Sequence, residues 1–154
     1  MKALLILMML SIVNLSYGWE CTGSQRGSDT SYDQHIEYAS EIYAGKVITS
    51  YLVEDIHKVV FELKVSDAFK GHYKNHVTLE TTDDGLDPDI TIGQSYIFFL
   101  YGSNSVSFCG LNIPLGKGSF RPENLEHMAK IVESENKNKA KFFRKLLKMK
   151  NNNL

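Results

Sequence analysis

Residues 58–69 read KVVFELKVSDAF, and this stretch decides the fold class. Its odd-numbered positions carry the apolar side chains Val59, Phe61, Leu63 and Val65, while Glu62 and Lys64 take the other face. This alternation with a period of two predicts a half-buried β-strand. Phe69-Lys70-Gly71 then predicts a turn.

Four other segments are also rich in β-branched or aromatic residues: 42–53, 77–81, 96–101 and 105–109. Gly102-Ser103-Asn104 separates the last two, which predicts a hairpin between them. Apart from a short helix predicted over 34–42, little helix lies between the strands. Five strands in this arrangement predict a mainly β fold, either a small antiparallel barrel or a sandwich.

The last third of the chain has the periodicity of helices. Leu125, Met128, Ala129 and Val132 form one apolar stripe after Pro122. In 137–150, Phe142, Phe143, Leu146 and Leu147 oppose the basic residues Lys141, Arg144, Lys145 and Lys148. This segment either docks its apolar stripe on the body or adsorbs to an anionic membrane. The residues that would make that membrane contact are Phe142, Phe143, Arg144, Lys145, Leu146 and Lys148.

Charge divides the chain in two. Residues 19–116 hold 6 Lys and Arg against 14 Asp and Glu, whereas 117–154 hold 10 against 4. The formal net charge of −1 excludes a globally basic nucleic-acid binder. We therefore expect an acidic body of 19–116 and a basic helical extension of 117–154.

The first eighteen residues are typical of a secretory signal peptide. Lys2 precedes an apolar run from Ala3 to Leu10, and the small residues Ser16 and Gly18 stand where cleavage needs them. The apolar run is too short for a membrane span. We expect a secreted protein, extracellular or periplasmic, that begins at Trp19.

Export changes the meaning of the two cysteines. An even pair in an oxidising compartment predicts a disulfide between Cys21 and Cys109. Two buried free thiols are the alternative.

The sequence carries no recognisable catalytic or cofactor motif, and we expect neither an enzyme nor a bound cofactor. His72 and His76 are four residues apart, but a turn at Gly71 favours solvated side chains over a metal site. Asp83, Asp84, Asp87 and Asp89 lack the spacing of a calcium loop and favour a solvated turn. A small exported hydrolase using His35, His57 or His127 with carboxylates stays open as an alternative.

Several short motifs occur in a telling order. Cys21 is followed by Ala39-x-x-x-Tyr43-x-Gly45-Lys46-Val47, then Phe69-Lys70-Gly71, Val77-Thr78-Leu79, Gly93-x-x-Tyr96-x-Phe98 and Cys109. In this order the chain resembles the netrin-like module of the tissue inhibitors of metalloproteinases over residues 19–116. The resemblance implies a five-stranded Greek-key barrel of the OB type with flanking helices.

In that family the mature chain begins Cys-x-Cys, and its free amino terminus chelates the zinc of the protease. Here Trp19 stands in place of the first cysteine, while Cys21 and Cys109 match the second cysteine and its partner. The segment 81–93 also lacks the cysteine that would bridge to the first one.

The resemblance thus implies a non-enzymatic protein-binding module whose contacting edge is Trp19, Glu20, Cys21 and Thr22. The partner implied is a protein, with a zinc metalloprotease the leading candidate. We expect a monomer with no bound metal, no nucleic-acid partner and no transmembrane segment. Binding to an anionic envelope surface through the basic extension is the alternative function.

Overall fold

The computed structural model describes residues 31–54, 58–81, 90–106, 111–118 and 120–152. These ranges contain three helices, which are α1 (Tyr32–Tyr38), α2 (Asn124–Val132) and α3 (Lys137–Asn152). They also contain six strands, which are β1 (Glu41–Val53), β2 (Lys58–Lys70), β3 (His76–Thr81), β4 (Ser95–Leu100), β5 (Ser105–Val106) and β6 (Asn112–Gly116). The fold is mainly β, as the alternating segments predict.

The six strands form one sheet that curls into a half-barrel, in the order β5-β3-β2-β1-β4-β6. Every pair is antiparallel except β3 and β5, which run parallel. The two long strands β1 and β2 pair over almost their full lengths, from Ile42–Lys70 to Val53–Lys58. Three irregularities in the register of β1 against β2 bend this pair.

The hairpin predicted across Gly102-Ser103-Asn104 is wrong in its pairing. After the turn, the Glu80 backbone N–H donates to the Asn104 carbonyl at 3.0 Å, which directs the chain toward β3. Ser105–Val106 therefore pairs with β3, and β4 pairs with Asn112–Gly116 instead. Residues 107–109 of the predicted strand lie outside the described part of the chain.

The sheet buries apolar side chains on both faces. Inside the curl lie Tyr43, Val47, Phe61, Leu63, Leu79, Tyr96 and Phe98. On the other face, Ile42, Ala44, Ile97 and Phe99 meet the helices. All six residues of β4 are buried, which explains why this strand is a continuous apolar run.

Helix α1 begins and ends earlier than its apolar spacing predicts. Ser31 Oγ accepts from the Gln34 backbone N–H, and the Gln34 side chain accepts from the Ser31 backbone N–H. This reciprocal cap starts the helix at Tyr32. Pairing of Glu41 with Leu100 in the sheet ends the helical conformation before Ile42.

The C-terminal helices share one core with the sheet. Leu125 and Ala129 of α2 and Phe142, Phe143 and Leu146 of α3 are buried in the cluster that contains Ile42 and Phe99. The Phe142 ring stacks on Tyr32 of α1 with centroids 4.7 Å apart, and lies 5.9 Å from that of Phe99. None of the helices in the described ranges is long and apolar enough to cross a membrane.

Candidate functional site

The predicted N-terminal contact edge lies outside the described residues. This applies to Trp19, Glu20, Cys21 and Thr22, and to the predicted bridge from Cys21 to Cys109. His57 and the four aspartates between 83 and 89 are also outside them.

The first surface is the far end of the β1–β2 pair. Strand β4 covers β1 only from Glu41 to Lys46. At Val47 two more bonds close the contact, because Val47 N–H donates to Gln94 O at 3.0 Å and Gly93 N–H donates to Val47 O at 2.8 Å. Beyond Val47, no described residue pairs with β1 on that side. We call residues 48–53 the open edge.

Apolar side chains are exposed along the open edge. Tyr51 and Leu52 are 55% and 59% exposed, and Ile48 is 38% exposed. Ile92 precedes Gly93, whose bond to Val47 brings this further exposed side chain close to the start of the open edge. The register of β1 against β2 is irregular between Val47 and Thr49. The side chains of β1 before this point alternate between the two buried clusters, and this alternation does not continue beyond it.

An open strand edge with large exposed apolar side chains is typical of a surface that binds another protein. The unpaired backbone groups can pair with an added strand, and the side chains can fill pockets of a partner. Sequence reasoning missed this surface. The signal available was the adjacent pair Tyr51-Leu52 after Thr49-Ser50, which breaks the period of two.

The second surface is the solvent side of α3. The rings of Phe142 and Phe143 and the side chain of Leu146 are buried against the sheet and the other helices. The basic residues of the predicted membrane-contacting set therefore lie on a different face of the helix from its rings. Of these, Arg144 and Lys145 are partly exposed and Lys148 is exposed.

Ion pairs hold two of these cations to neighbouring helices. Arg144 Nη1 and Nη2 each donate to the Glu133 carboxylate at 2.8 Å, and this pairing lowers the pKa of Glu133. Lys145 Nζ donates to Asp33 Oδ1 of α1 at 2.6 Å, and the bond lowers the pKa of Asp33. Both pairs are exposed, so they contribute little to stability and mainly fix side-chain positions.

A third feature is a cleft of about 960 Å³ between α1, the end of β2 and the end of α3. Asp67 is 3% exposed there and forms an ion pair with Lys150, while the Ala68 N–H donates to Asp67 Oδ1 at 2.9 Å. Lys70 Nζ donates to the carbonyls of Ile36 and Glu37, which caps the end of α1. Asp67, Lys70 and Lys150 thus pair within the protein and join three elements.

A buried histidine lies beneath α1. His35 is 1% exposed, and its Nδ1 lies 2.5 Å from Tyr101 Oη, while no described residue offers a hydrogen-bond partner to its Nε2. Burial lowers the pKa of His35 and raises the pKa of Tyr101 to about 12. The other ring neighbour is Phe99, with centroids 6.2 Å apart. This environment keeps the imidazole neutral.

Three other histidines lie in the described ranges, and none of them joins a group of three or more possible metal ligands. His127 is exposed on α2, and His72 is exposed after β2. His76 Nδ1 lies 2.7 Å from Glu62 Oε1 on the exposed side of β3 and β2. Within the described ranges, no group of three or more His, Cys, Asp or Glu side chains could hold a metal ion.

Neither a protein-family model nor a curated protein matches this sequence.

Proposed function

We propose that this chain is a secreted, non-enzymatic module that binds another protein. The observation that carries the proposal is the open edge, where β1 backbone that no described residue pairs on that side coincides with the exposed side chains of Tyr51 and Leu52. The second contact in this proposal is the N-terminal edge from Trp19 to Thr22.

The strand pairing supports an OB-type barrel as the framework. Strand β5 pairs with β3, and β6 pairs with β4. Both are parallel to β1, lie at opposite ends of the strand order and belong to the single segment 105–116. Counted as one interrupted fifth strand, it gives the ring β1-β2-β3-β5-β4, the order of a five-stranded Greek-key barrel.

A zinc metalloprotease is the partner class that we propose to test first. The resemblance to the metalloproteinase inhibitors suggests it, and a free amine on Trp19 is chemically able to ligate zinc. A disulfide from Cys21 to Cys109 would hold that amine in place, which reduces the entropy lost on binding.

The test is inhibition of a panel of zinc metalloproteases by the naturally exported, signal-cleaved protein. We expect inhibition of at least one protease, and loss of that inhibition when a single residue is added before Trp19. The extension moves the amine away from the metal but leaves the rest of the chain unchanged. Absence of inhibition across the panel, for the protein with a verified Trp19 terminus, would overturn the inhibitor form of the proposal.

The open edge is tested separately by complex formation. The double variant Tyr51→Ser, Leu52→Ser removes two exposed apolar side chains and is expected to weaken binding to the inhibited protease at least tenfold, as truncated interface anchors do. Tyr38→Ser is the matched control, because Tyr38 is about equally exposed on α1, at 52%. Equal binding by the double variant and the control would contradict a role for the open edge.

A further inference from the structure

Helix α3 carries more positive charge than its docking requires. Its sixteen residues include seven Lys and Arg and no Asp or Glu. The first turn contains no acidic residue either, although acidic side chains there would complement the helix dipole. Lys137 and Lys139 instead place positive charge at the positive end of the helix, where it is unfavourable.

Four of the cations lie in one line along the solvent side of the helix. Their spacing of i, i+4, i+7 and i+11 places them on the face opposite the buried rings. We call them the basic stripe: Lys137, Lys141, Arg144 and Lys148. At a rise of about 1.5 Å per residue, the stripe extends over roughly 17 Å. Like charges at i and i+4 repel each other, so intrahelical contacts do not stabilise this arrangement.

The described residues neutralise only part of the stripe. Arg144 pairs with Glu133, and Lys141 Nζ lies 3.9 Å from Asp33 Oδ2 with its side chain 76% exposed. Lys137 and Lys148 make no ion pair with any described residue, and both are exposed. Lys137, Lys141 and Lys148 therefore keep positive charge facing solvent, although Lys137 also interacts electrostatically with Glu133. Arg144 is instead paired with two carboxylates, those of Glu133 and Glu126.

We propose that the basic stripe adsorbs the protein to an anionic lipid surface while α3 remains docked on the sheet. Because Phe142, Phe143 and Leu146 are committed to the core, the attraction is electrostatic and needs no insertion of these rings. A straight line of lysines, long and flexible, suits a planar layer of headgroups. Protein interfaces, by contrast, are poor in lysine and rich in aromatic anchors.

The same features disfavour nucleic acid. Single-strand binding surfaces combine cations with exposed aromatic rings on which bases stack. The two rings of α3 are fully packed in the core, with exposed fractions of 2% or less. The basic stripe offers charge without a stacking platform.

The test is co-sedimentation of the full exported chain with vesicles of phosphatidylcholine alone or mixed with phosphatidylglycerol. We expect binding to the mixed vesicles only, with release at high salt because screening shortens the range of the attraction. The triple variant Lys137→Gln, Lys141→Gln, Lys148→Gln is expected to bind more weakly by about fivefold for each charge removed.

The matched control is Lys46→Gln, Lys64→Gln, Lys117→Gln, which removes the same net charge from exposed positions on or beside the sheet. This control variant is expected to keep most of its binding to the mixed vesicles, since the proposal attributes that binding to the basic stripe and not to the net charge of the protein. Circular dichroism and thermal melts must show that both variants are folded. Lys137, Lys141 and Lys148 lie outside the core, so the variant that replaces them should still fold.

Two outcomes overturn the proposal. One is absence of binding to the mixed vesicles at low salt, and the other is equal loss of binding in the two triple variants. In the first of these outcomes, binding of a duplex or single-stranded oligonucleotide would indicate a nucleic-acid site instead. None of these measurements depends on protease inhibition, so this proposal and the protein-binding function can fail independently.

Discussion

Single residues decide several local features of this fold, and His35 is the clearest case. Its ring is buried beneath α1, with Tyr101 as the hydrogen-bond partner of one nitrogen and no described partner for the other. A positive charge at this position would be poorly solvated. The folded state therefore favours the neutral form of the His35 ring.

The pH dependence of stability follows from that burial. The folded-state pKa of His35 is lowered from 6.5, so the unfolded chain takes up the proton first as the pH falls. The stabilisation is complete above about 6.5 and is lost as the pH falls toward the folded-state pKa, by at most about 1.4 kcal/mol per pH unit.

Urea denaturation of the wild type and of His35→Leu at a series of pH values measures this. The variant is expected to show a flatter dependence below 6.5, since the two proteins differ only in this side chain. Parallel curves for the two proteins would contradict the assignment.

Gly45 shows how a single missing Cβ permits strand packing. A Cβ at this position would lie 2.6 Å from the Lys64 carbonyl oxygen and 2.9 Å from Leu63 Cγ. We expect Gly45→Ala to lower the free energy of unfolding by about 1–3 kcal/mol, as overpacking does.

Gly118→Ala is the control for Gly45→Ala, because nothing lies within 4 Å of a Cβ at Gly118. Its expected change in the free energy of unfolding is within about 0.5 kcal/mol. Thermal melts of both variants would show whether the close approach of β1 and β2 is the cause.

At the scale of elements, the apolar patterns predict the two long strands, β1 and β2, but miss β6. Alternation in 58–69 predicts β2 to within one residue, because one face of this strand is buried from Phe61 to Phe69. Strand β6 contains Asn112, Pro114 and Gly116, residues that favour turns, and it forms because β4 offers an edge. That edge is a property of the tertiary structure, so the local sequence does not reveal it.

The two candidate surfaces, on α3 and at the open edge, are also only partly predictable from the sequence. The amphipathic character of α3 is evident in its sequence, and so is the separation of its rings from its lysines. The sequence does not show whether the helix docks on the body or adsorbs to a membrane, because both arrangements require the same apolar periodicity. The open edge exists because β4 ends before β1 does. The sequence of β1 alone does not reveal where its neighbour ends.

Docking of α3 is tested at Phe143, whose side chain is fully buried. Phe143→Ala is expected to lower the free energy of unfolding by about 3–5 kcal/mol, through lost burial and the cavity left behind. Ile131→Ala on α2 is the control, because Ile131 is apolar but 61% exposed. A change at Phe143 no larger than that at Ile131, measured by urea denaturation, would mean that the helix is not docked in solution.

At the scale of the whole molecule, charge and covalent structure are the two properties that the sequence addresses directly. The acidic body and the basic extension follow from residue counts alone. Cleavage before Trp19 and the bridge from Cys21 to Cys109 remain predictions about residues outside the described ranges.

Intact mass spectrometry of the exported protein tests both. The expected mass is that of residues 19–154, and reduction is expected to add the mass of two hydrogens as the disulfide opens. A mass that includes the leader, or one that does not change on reduction, would remove the basis for the N-terminal contact edge.

The position of β4 has a consequence for the opening of backbone amides to solvent. This strand is flanked by β1 and β6, and its residues contribute to the apolar clusters on both faces of the sheet. Its amide hydrogens should therefore exchange with deuterium only when the protein unfolds globally. Since α2 and α3 complete one of those clusters, their interior amides should exchange at a similarly slow rate, which would make the sheet and the C-terminal helices a single cooperative folding unit.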